Sequence, residues 1–250
     1  MHFVQRSVQR NIAEVRLERG PVNALEDRVV EEMSACFSEI AEDGDVRATV
    51  LTGSGKFFSF GFDIPRFLGY SREAFSEYLI KFTSLYRELF SHPKPIVAAL
   101  NGHAVAGGCM LAAACDARIM VKNKAKIGLN EIGFGSSVFA GSVGILSFWV
   151  GGRRAQEILY GGKLYSAEEA MDLGLVDATA DEPGLLGAAH QIAQTLAARD
   201  PAAFRSLKAL LRKPVLDEMI AREQESIREF VGIWYSQQTW KNLQGIKIRG

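Results

Sequence analysis

The feature that most constrains this fold is a set of short, almost wholly apolar runs separated by helical patterns. Residues 48–52 (ATVLT), 96–100 (IVAAL) and 117–121 (ARIMV) read as buried strands, too short to be helices. Between the first two, residues 71–90 carry a helical pattern that Pro93 and Pro95 stop. Upstream, after Gly20-Pro21, residues 26–42 place Val29, Val30, Met33, Phe37 and Ile40 at helical spacing, and Gly44 closes the segment. Strand and helix alternate through the first half, which predicts an α/β fold with a mainly parallel sheet. Residues 3–7 and 12–17 alternate apolar and polar side chains around Arg10-Asn11, the pattern of a half-buried hairpin.

Beyond Arg153 the pattern is nearly all helical, over residues 153–160, 167–173, 182–199, 201–211 and 218–243. No linker, repeat or low-complexity tract divides the chain, so the expectation is one structural unit. Residues 1–195 form its core and 196–250 a helical region packed on the chain's own sheet or on a partner subunit. Of the 250 residues 48% are hydrophobic and 23% charged, enough to bury a large core. The formal net charge of zero supplies no general field for a polyanion, so nucleic acid is not an expected partner. Cys36, Cys109 and Cys115 form no C-x-x-C pair, which suits a reducing compartment. Residues 1–10 lack a signal peptide's apolar core, residues 248–250 are not the Ser-Lys-Leu peroxisomal address, and the apolar stretches 104–115 and 138–152 fall short of the ~20 residues of a spanning helix. A cytoplasmic location without membrane association is the expectation.

Several chemistries can be set aside. Residues 52–57 (TGSGKF) imitate a phosphate-binding loop, but its first glycine would fall at Val50 and Phe57 replaces the magnesium-binding hydroxyl. Gly133-Phe134-Gly135 lacks the rest of a dinucleotide fingerprint, and no G-x-S-x-G elbow surrounds Ser136, Ser137 or Ser142. The four histidines are scattered singly, so no metal site is expected, and a structural imidazole is the plainer reading of His103. Three segments stand out as unusual for pure structure. They are Phe58-Ser59-Phe60-Gly61-Phe62-Asp63-Ile64, residues 101–109 (NGHAVAGGC) with Gly107-Gly108, and residues 127–133 (IGLNEIG) with Glu131 inside an apolar stretch. Taken singly each has a structural reading: glycines make turns, Asp63 caps a helix, and Glu131 is half of an ion pair.

Together these segments resemble the crotonase, or enoyl-CoA hydratase/isomerase, superfamily. The likeness continues through C-D-x-R-I at residues 115–119 and G-R-R-A-x-E-x-L at 152–159 to G-L-V-D at 174–177. The resemblance implies a spiral of ββα units (ClpP/crotonase-like) with a C-terminal helical region. It implies an acyl-CoA thioester substrate, with coenzyme A part of the substrate and no tightly bound cofactor. It also implies a homotrimer or a dimer of trimers. By motif position the oxyanion-hole N–H groups belong to Phe62 and Gly107, and the CoA and substrate contacts to Phe60, Gly61, Phe62, Asp63, Ile64 and Gly107. Hydratases of the family pair two glutamates; here Met110 takes the first one's place and Glu131 is the second. A thioether cannot act as a general base, which favours a double-bond shift over addition of water. Residues 127–131 look like mitochondrial-type Δ3,Δ2-enoyl-CoA isomerases, as does the stretch around Arg228-Glu229-Phe230-Val231, which implies 3-enoyl-CoA to 2-enoyl-CoA isomerisation in fatty acid β-oxidation with Glu131 the single catalytic carboxylate; the alternatives are another acyl-CoA reaction of the family (hydration, hydrolysis or decarboxylation) or a catalytically weak acyl-CoA-binding protein. Phe60 and Phe62 stand where many relatives carry small residues or Leu, and residues 135–144 lack the hydratases' Pro-Gly-Ala-Gly-Gly run. Phe134, Val138, Phe139, Phe148 and Trp149 are candidates for an apolar tunnel or, more plainly, for core.

Overall fold

The first turn forms where the alternation breaks. Strands β1 (Val4–Gln9) and β2 (Ile12–Leu17) pair antiparallel, and Arg10 and Asn11 between them both take positive φ, as a two-residue hairpin turn requires. The computed structural model of the protein describes residues 2–246, so the C-terminal tripeptide lies outside the described residues.

From β2 onward the chain winds as a spiral in which each turn gives one strand to a large sheet, a shorter one to an inner layer, and then a helix. The first turn is β2, β3 (Ala24–Leu25) and α1 (Asp27–Glu42). The second is β4 (Ala48–Gly53), β5 (Phe57–Ser59) with β6 (Gly61–Phe62), then α2 (Ile64–Phe67) and α3 (Arg72–Ser91). The third is β7 (Ile96–Leu100), β8 (His103–Val105) and α4 (Gly107–Ala114); the fourth starts with β9 (Ala117–Val121) and β10 (Ile127–Gly128) and enters a 3-10 turn at Glu131–Phe134. The large sheet runs β1-β2-β4-β7-β9 with every pair after the hairpin parallel, and β10-β8-β5 stack as a second parallel sheet. Strands β4 and β7 are buried at every position, which accounts for their continuous apolar sequence.

The second half is helical with three departures from the sequence reading. Residues 138–152, read only as buried core, contain helix α5 (Ala140–Val150), followed by α6 (Gly152–Gly161) and α7 (Ala167–Leu173). A short strand β11 (Ala178–Ala180) then joins the edge of the large sheet beside β9; its three-residue signal is too weak to read without its neighbour. After α8 (Leu185–Ala197), the two helices expected at 201–211 and 218–243 are a single helix α9 (Pro201–Trp234) that runs through Pro214, and the break falls at Tyr235, before α10 (Gln237–Gln244).

An interior proline removes one helix hydrogen bond and crowds the preceding turn. Tertiary contacts anchor α9 just ahead of that defect. Lys208 Nζ and Arg212 Nη2 lie 2.7 and 2.9 Å from the two oxygens of Asp116, and the Arg212 guanidinium rests 4.3 Å over the Phe90 ring. Asp116 also accepts the Ile96 N–H at 2.8 Å, so one carboxylate ties α9 to β7. Both cations are buried. Among the described residues no helix is long and apolar enough to cross a membrane. Replacing Asp116 by Ala strands two buried cations and should destabilise the protein by about 3–5 kcal/mol. A urea melt checks this; an unchanged midpoint would mean that the pair does not anchor α9.

Candidate active site

The site begins with a backbone crossing. Ser59 Oγ donates to Asn23 C=O at 2.8 Å and accepts the Gly61 N–H at 3.1 Å, while Asp63 N–H goes to Leu25 C=O at 3.0 Å. Phe62 pairs in register with Leu25, and successive N–H groups of a strand point to opposite edges, so the Phe62 N–H faces away from β3. Gly61 has φ 94, and a Cβ there would sit 2.8 Å from Val105 C=O and 2.9 Å from Gly107 N. Only glycine allows this approach. Gly107 opens α4, where the first N–H groups have no acceptor within the helix. A Cβ on Gly107 would lie 3.2 Å from the Phe62 ring, so the two N–H groups named from the sequence come from touching residues.

The residue before Gly107 is strained. Ala106 has φ 50 and ψ −118, a conformation that alanine rarely adopts and that costs roughly 1–3 kcal/mol. Its N–H bonds to Gly128 C=O at 2.9 Å and its C=O accepts Met110 N–H at 3.0 Å, which fixes it from both sides.

Glu131 begins the 3-10 turn, and that turn is pinned twice. Its C=O accepts the Ser136 N–H at 2.9 Å, and Gly135 closes the turn in the left-handed region. From α10, Thr239 Oγ1 donates to Gly135 C=O at 2.6 Å and Asn242 Nδ2 to Phe134 C=O at 3.1 Å. The side chain is only 5% exposed, and Oε2 has no hydrogen-bond partner among the described residues. Burial pushes its pKa up to about 8, opposed only by its own backbone N–H. Among the described residues Glu131 is therefore not half of an ion pair.

These pieces meet around a cavity of about 380 Å³. Val105, Ala106, Gly107 and Met110 form one wall; Asn130, Glu131, Gly133 and Phe134 another; Phe230 and Trp234 of α9 close it with Phe60, Phe62 and Ile64. Glu131 is the single ionisable side chain lining it among the described residues. Met110, in the position of the hydratases' first glutamate, lines the same space.

Of the residues singled out in the sequence, Phe60, Phe62, Ile64, Gly107 and Glu131 line the cavity, while Gly61 and Asp63 do not. Gly61 permits the close crossing. Asp63 caps α2, accepting the Arg66 N–H at 3.3 Å, and pairs with Arg19 at 2.5 Å. His103 accepts the Lys126 N–H at 3.1 Å and packs 5.1 Å from the Phe57 ring, outside the cavity, a structural position. Among the tunnel candidates Phe134 lines the cavity, whereas Phe148 packs on Phe90 and Trp149 under Arg118. The sequence reading missed Thr239 and Asn242, whose only signal is polarity on the face of an amphipathic helix.

The chain matches the model of the enoyl-CoA hydratase/isomerase family over residues 7–245, and it belongs to that family. It is 36% identical over 215 residues to a probable enoyl-CoA hydratase of Bacillus subtilis, covering 84% of this chain and 82% of that one. Mouse mitochondrial enoyl-CoA delta isomerase 1 is 28% identical over 242 residues, covering 93% and 81%. The crystal structure of human mitochondrial delta3-delta2-enoyl-CoA isomerase superposes with a TM-score of 0.90 at 27% identity, covering 97% of this chain and 96% of that one. The spiral is the crotonase fold, as the resemblance implies.

The raised pKa has a thermodynamic signature that does not depend on the reaction. A carboxyl at about 8 when folded and 4.5 unfolded holds its proton more tightly in the native state, so folding stability falls as pH rises from about 4.5 to 8. Glu131→Gln removes that loss. The variant should gain Tm relative to the parent between pH 5 and pH 9, read by thermal melts; a pH-independent difference would place the carboxylate in water.

Proposed function

We propose that the protein isomerises 3-enoyl-CoA to trans-2-enoyl-CoA, with Glu131 as the only proton carrier. What carries this reading is Glu131, the one ionisable group among the described residues that line the cavity, on a wall it shares with Phe62 and Gly107. In this reading the thioester oxygen accepts hydrogen bonds from the Phe62 and Gly107 N–H groups. The Glu131 carboxylate takes a proton from C2, and the C–H electron pair moves toward the thioester, giving a dienolate. The dienolate then collapses: a double bond forms between C2 and C3, the one between C3 and C4 is lost, and C4 takes the proton back from Glu131. Atoms and charge balance without an external acid, base or cofactor, and coenzyme A enters and leaves as part of the substrate.

Each oxyanion donor is worth about 2.7–4 kcal/mol at the transition state. A general base contributes about 10²–10⁴-fold, most effectively when its pKa lies near the working pH, which is where burial puts Glu131. Assembly as a homotrimer or dimer of trimers belongs to the same proposal. It is supported by Leu207, Leu210 and Leu211, all over 60% exposed on α9 at helical spacing.

Hydration of 2-enoyl-CoA is the second reading, favoured by the identity to the Bacillus subtilis protein. The usual route needs a second carboxylate to activate water, and Met110 supplies none. Product analysis separates the two. Isomerisation of a 3-enoyl-CoA should fall at least about 100-fold in Glu131→Gln, and kcat/KM should rise with pH through about 8 as the carboxylate ionises. Met110→Glu should bring in measurable hydration of a 2-enoyl-CoA. Near-normal isomerisation by the Gln variant would sink the assignment.

A further inference from the structure

The Glu131 carboxylate has no neighbour that aims it. No side chain among the described residues bonds to it, and Oε2 is buried without a partner. Its direction is inherited from the backbone of the 3-10 turn at Glu131–Phe134. A turn that short does not hold its conformation alone, because its first hydrogen bond has to fix several dihedrals at once.

The Phe134 and Gly135 carbonyls leave the turn with no backbone donor among the described residues, and α10 supplies a side-chain donor to each. Thr239 and Asn242 sit on one face of that helix, and both are themselves oriented. Thr239 Oγ1 accepts from Ser236 Oγ, the N-cap of α10, at 3.1 Å, which leaves its own proton for Gly135 C=O. Asn242 Oδ1 accepts from Gln238 Nε2 at 3.2 Å, which turns Nδ2 toward Phe134 C=O. A Cβ on Gly135 would stand 3.2 Å from Thr239 Oγ1 and 3.4 Å from Asn242 Nδ2, so helix and turn touch directly. On its other side α10 is tied across the cavity. Trp240 stacks on Tyr235 at 4.9 Å, and the Tyr235 hydroxyl donates to Tyr70 C=O at 2.8 Å, just beyond α2 and its cavity residue Ile64.

We propose that Thr239 and Asn242 are positioning residues for proton transfer, setting through the Gly135 and Phe134 carbonyls where the Glu131 carboxylate stands. The role rests on the proposed isomerisation only in making Glu131 the proton carrier. One carboxylate has to reach C2 and then C4, so a shift of the turn is felt at both steps, and a displacement of about 1 Å costs on the order of a hundredfold in rate. Neither Thr239 nor Asn242 lines the cavity, so substrate binding does not depend on them directly. Their loss acts on turnover.

Thr239→Val removes the donor at nearly constant volume. With a 3-enoyl-CoA its kcat should fall about tenfold to a hundredfold while KM changes little, and Thr239→Ser, which keeps the hydroxyl, should restore kcat. An unchanged kcat in the Val variant, a change confined to KM, or no rescue by Ser overturns the proposal. Should Thr239→Val fail to fold, Asn242→Ala removes the second bond at a half-buried position and is read by the same kcat and KM. A second readout needs no reaction. A turn released from α10 admits water to Glu131 and lowers its raised pKa, so Tm should fall less from pH 5 to pH 9 in the Val variant than in the Ser variant. Tyr86 and Cys109, which feel the Glu131 charge, are themselves pushed up by burial and stay protonated over that range, and groups elsewhere titrate alike in both variants. A difference in Tm that is equal at both pH values marks a purely structural bond and overturns the proposal. If the parent isomerises no 3-enoyl-CoA, the reaction assignment falls and the pH readout alone decides the positioning. If the parent does isomerise it and Thr239→Val matches the parent, the reaction stands and the positioning falls.

Discussion

The structure depends on one unfavourable placement, a carboxylate removed from water with no cation among the described residues to compensate it. Glu131 is buried, its Oε2 is unpartnered among the described residues, and its pKa rises to about 8 as a result. A group held at such a cost needs a rigid support. The Glu131 turn is fastened by Thr239 and Asn242 from α10, and α10 follows directly from α9, which is tethered to the sheet through Asp116. The C-terminal helices therefore fix the acid's position as well as covering the core.

The opposite side of the cavity is built from backbone. Two donors from touching residues need a crossing closer than side chains allow, and Gly61 and Gly107 supply it. Gly108 lies against the Ser59 carbonyl, where any Cβ would overlap it, so α4 can start only where it does. The strain at Ala106 is the conformational counterpart of this arrangement. It turns the chain from β8 into α4, whose first N–H groups have no acceptor within the helix.

Much of this was legible in the sequence for identifiable reasons. Continuous apolar runs marked β4, β7 and β9, and alternation around Arg10-Asn11 marked the hairpin, because burial on two faces or one is written directly in residue order. Glu131 was visible as a carboxylate in an apolar stretch, and Met110 as the absence of its partner. What was not legible rests on contacts between distant segments. Two helices were expected at 201–211 and 218–243, yet α9 runs unbroken through Pro214, with Arg212 just before it held by Asp116 and Phe90. Strand β11 is a strand only because β9 lies beside it. Asp63, named for its motif position, faces Arg19, and nothing local to residue 63 announces that partner. The bulk of Phe62 and Phe139, odd residues in isolation, becomes a closed wall once α3 and α9 bring their rings together.

In the proposed isomerisation a buried carboxylate carries a proton from C2 to C4 with few chances to exchange it with solvent. The most direct test is to follow a 3-enoyl-CoA in deuterated water and locate deuterium in the product by mass spectrometry and NMR. The proposed reaction predicts 2-enoyl-CoA whose new C4 hydrogen comes largely from C2 of the same molecule, with less than one deuterium per turnover. A 3-hydroxyacyl-CoA carrying solvent oxygen, or full deuteration at C4, would contradict a lone, water-shielded Glu131.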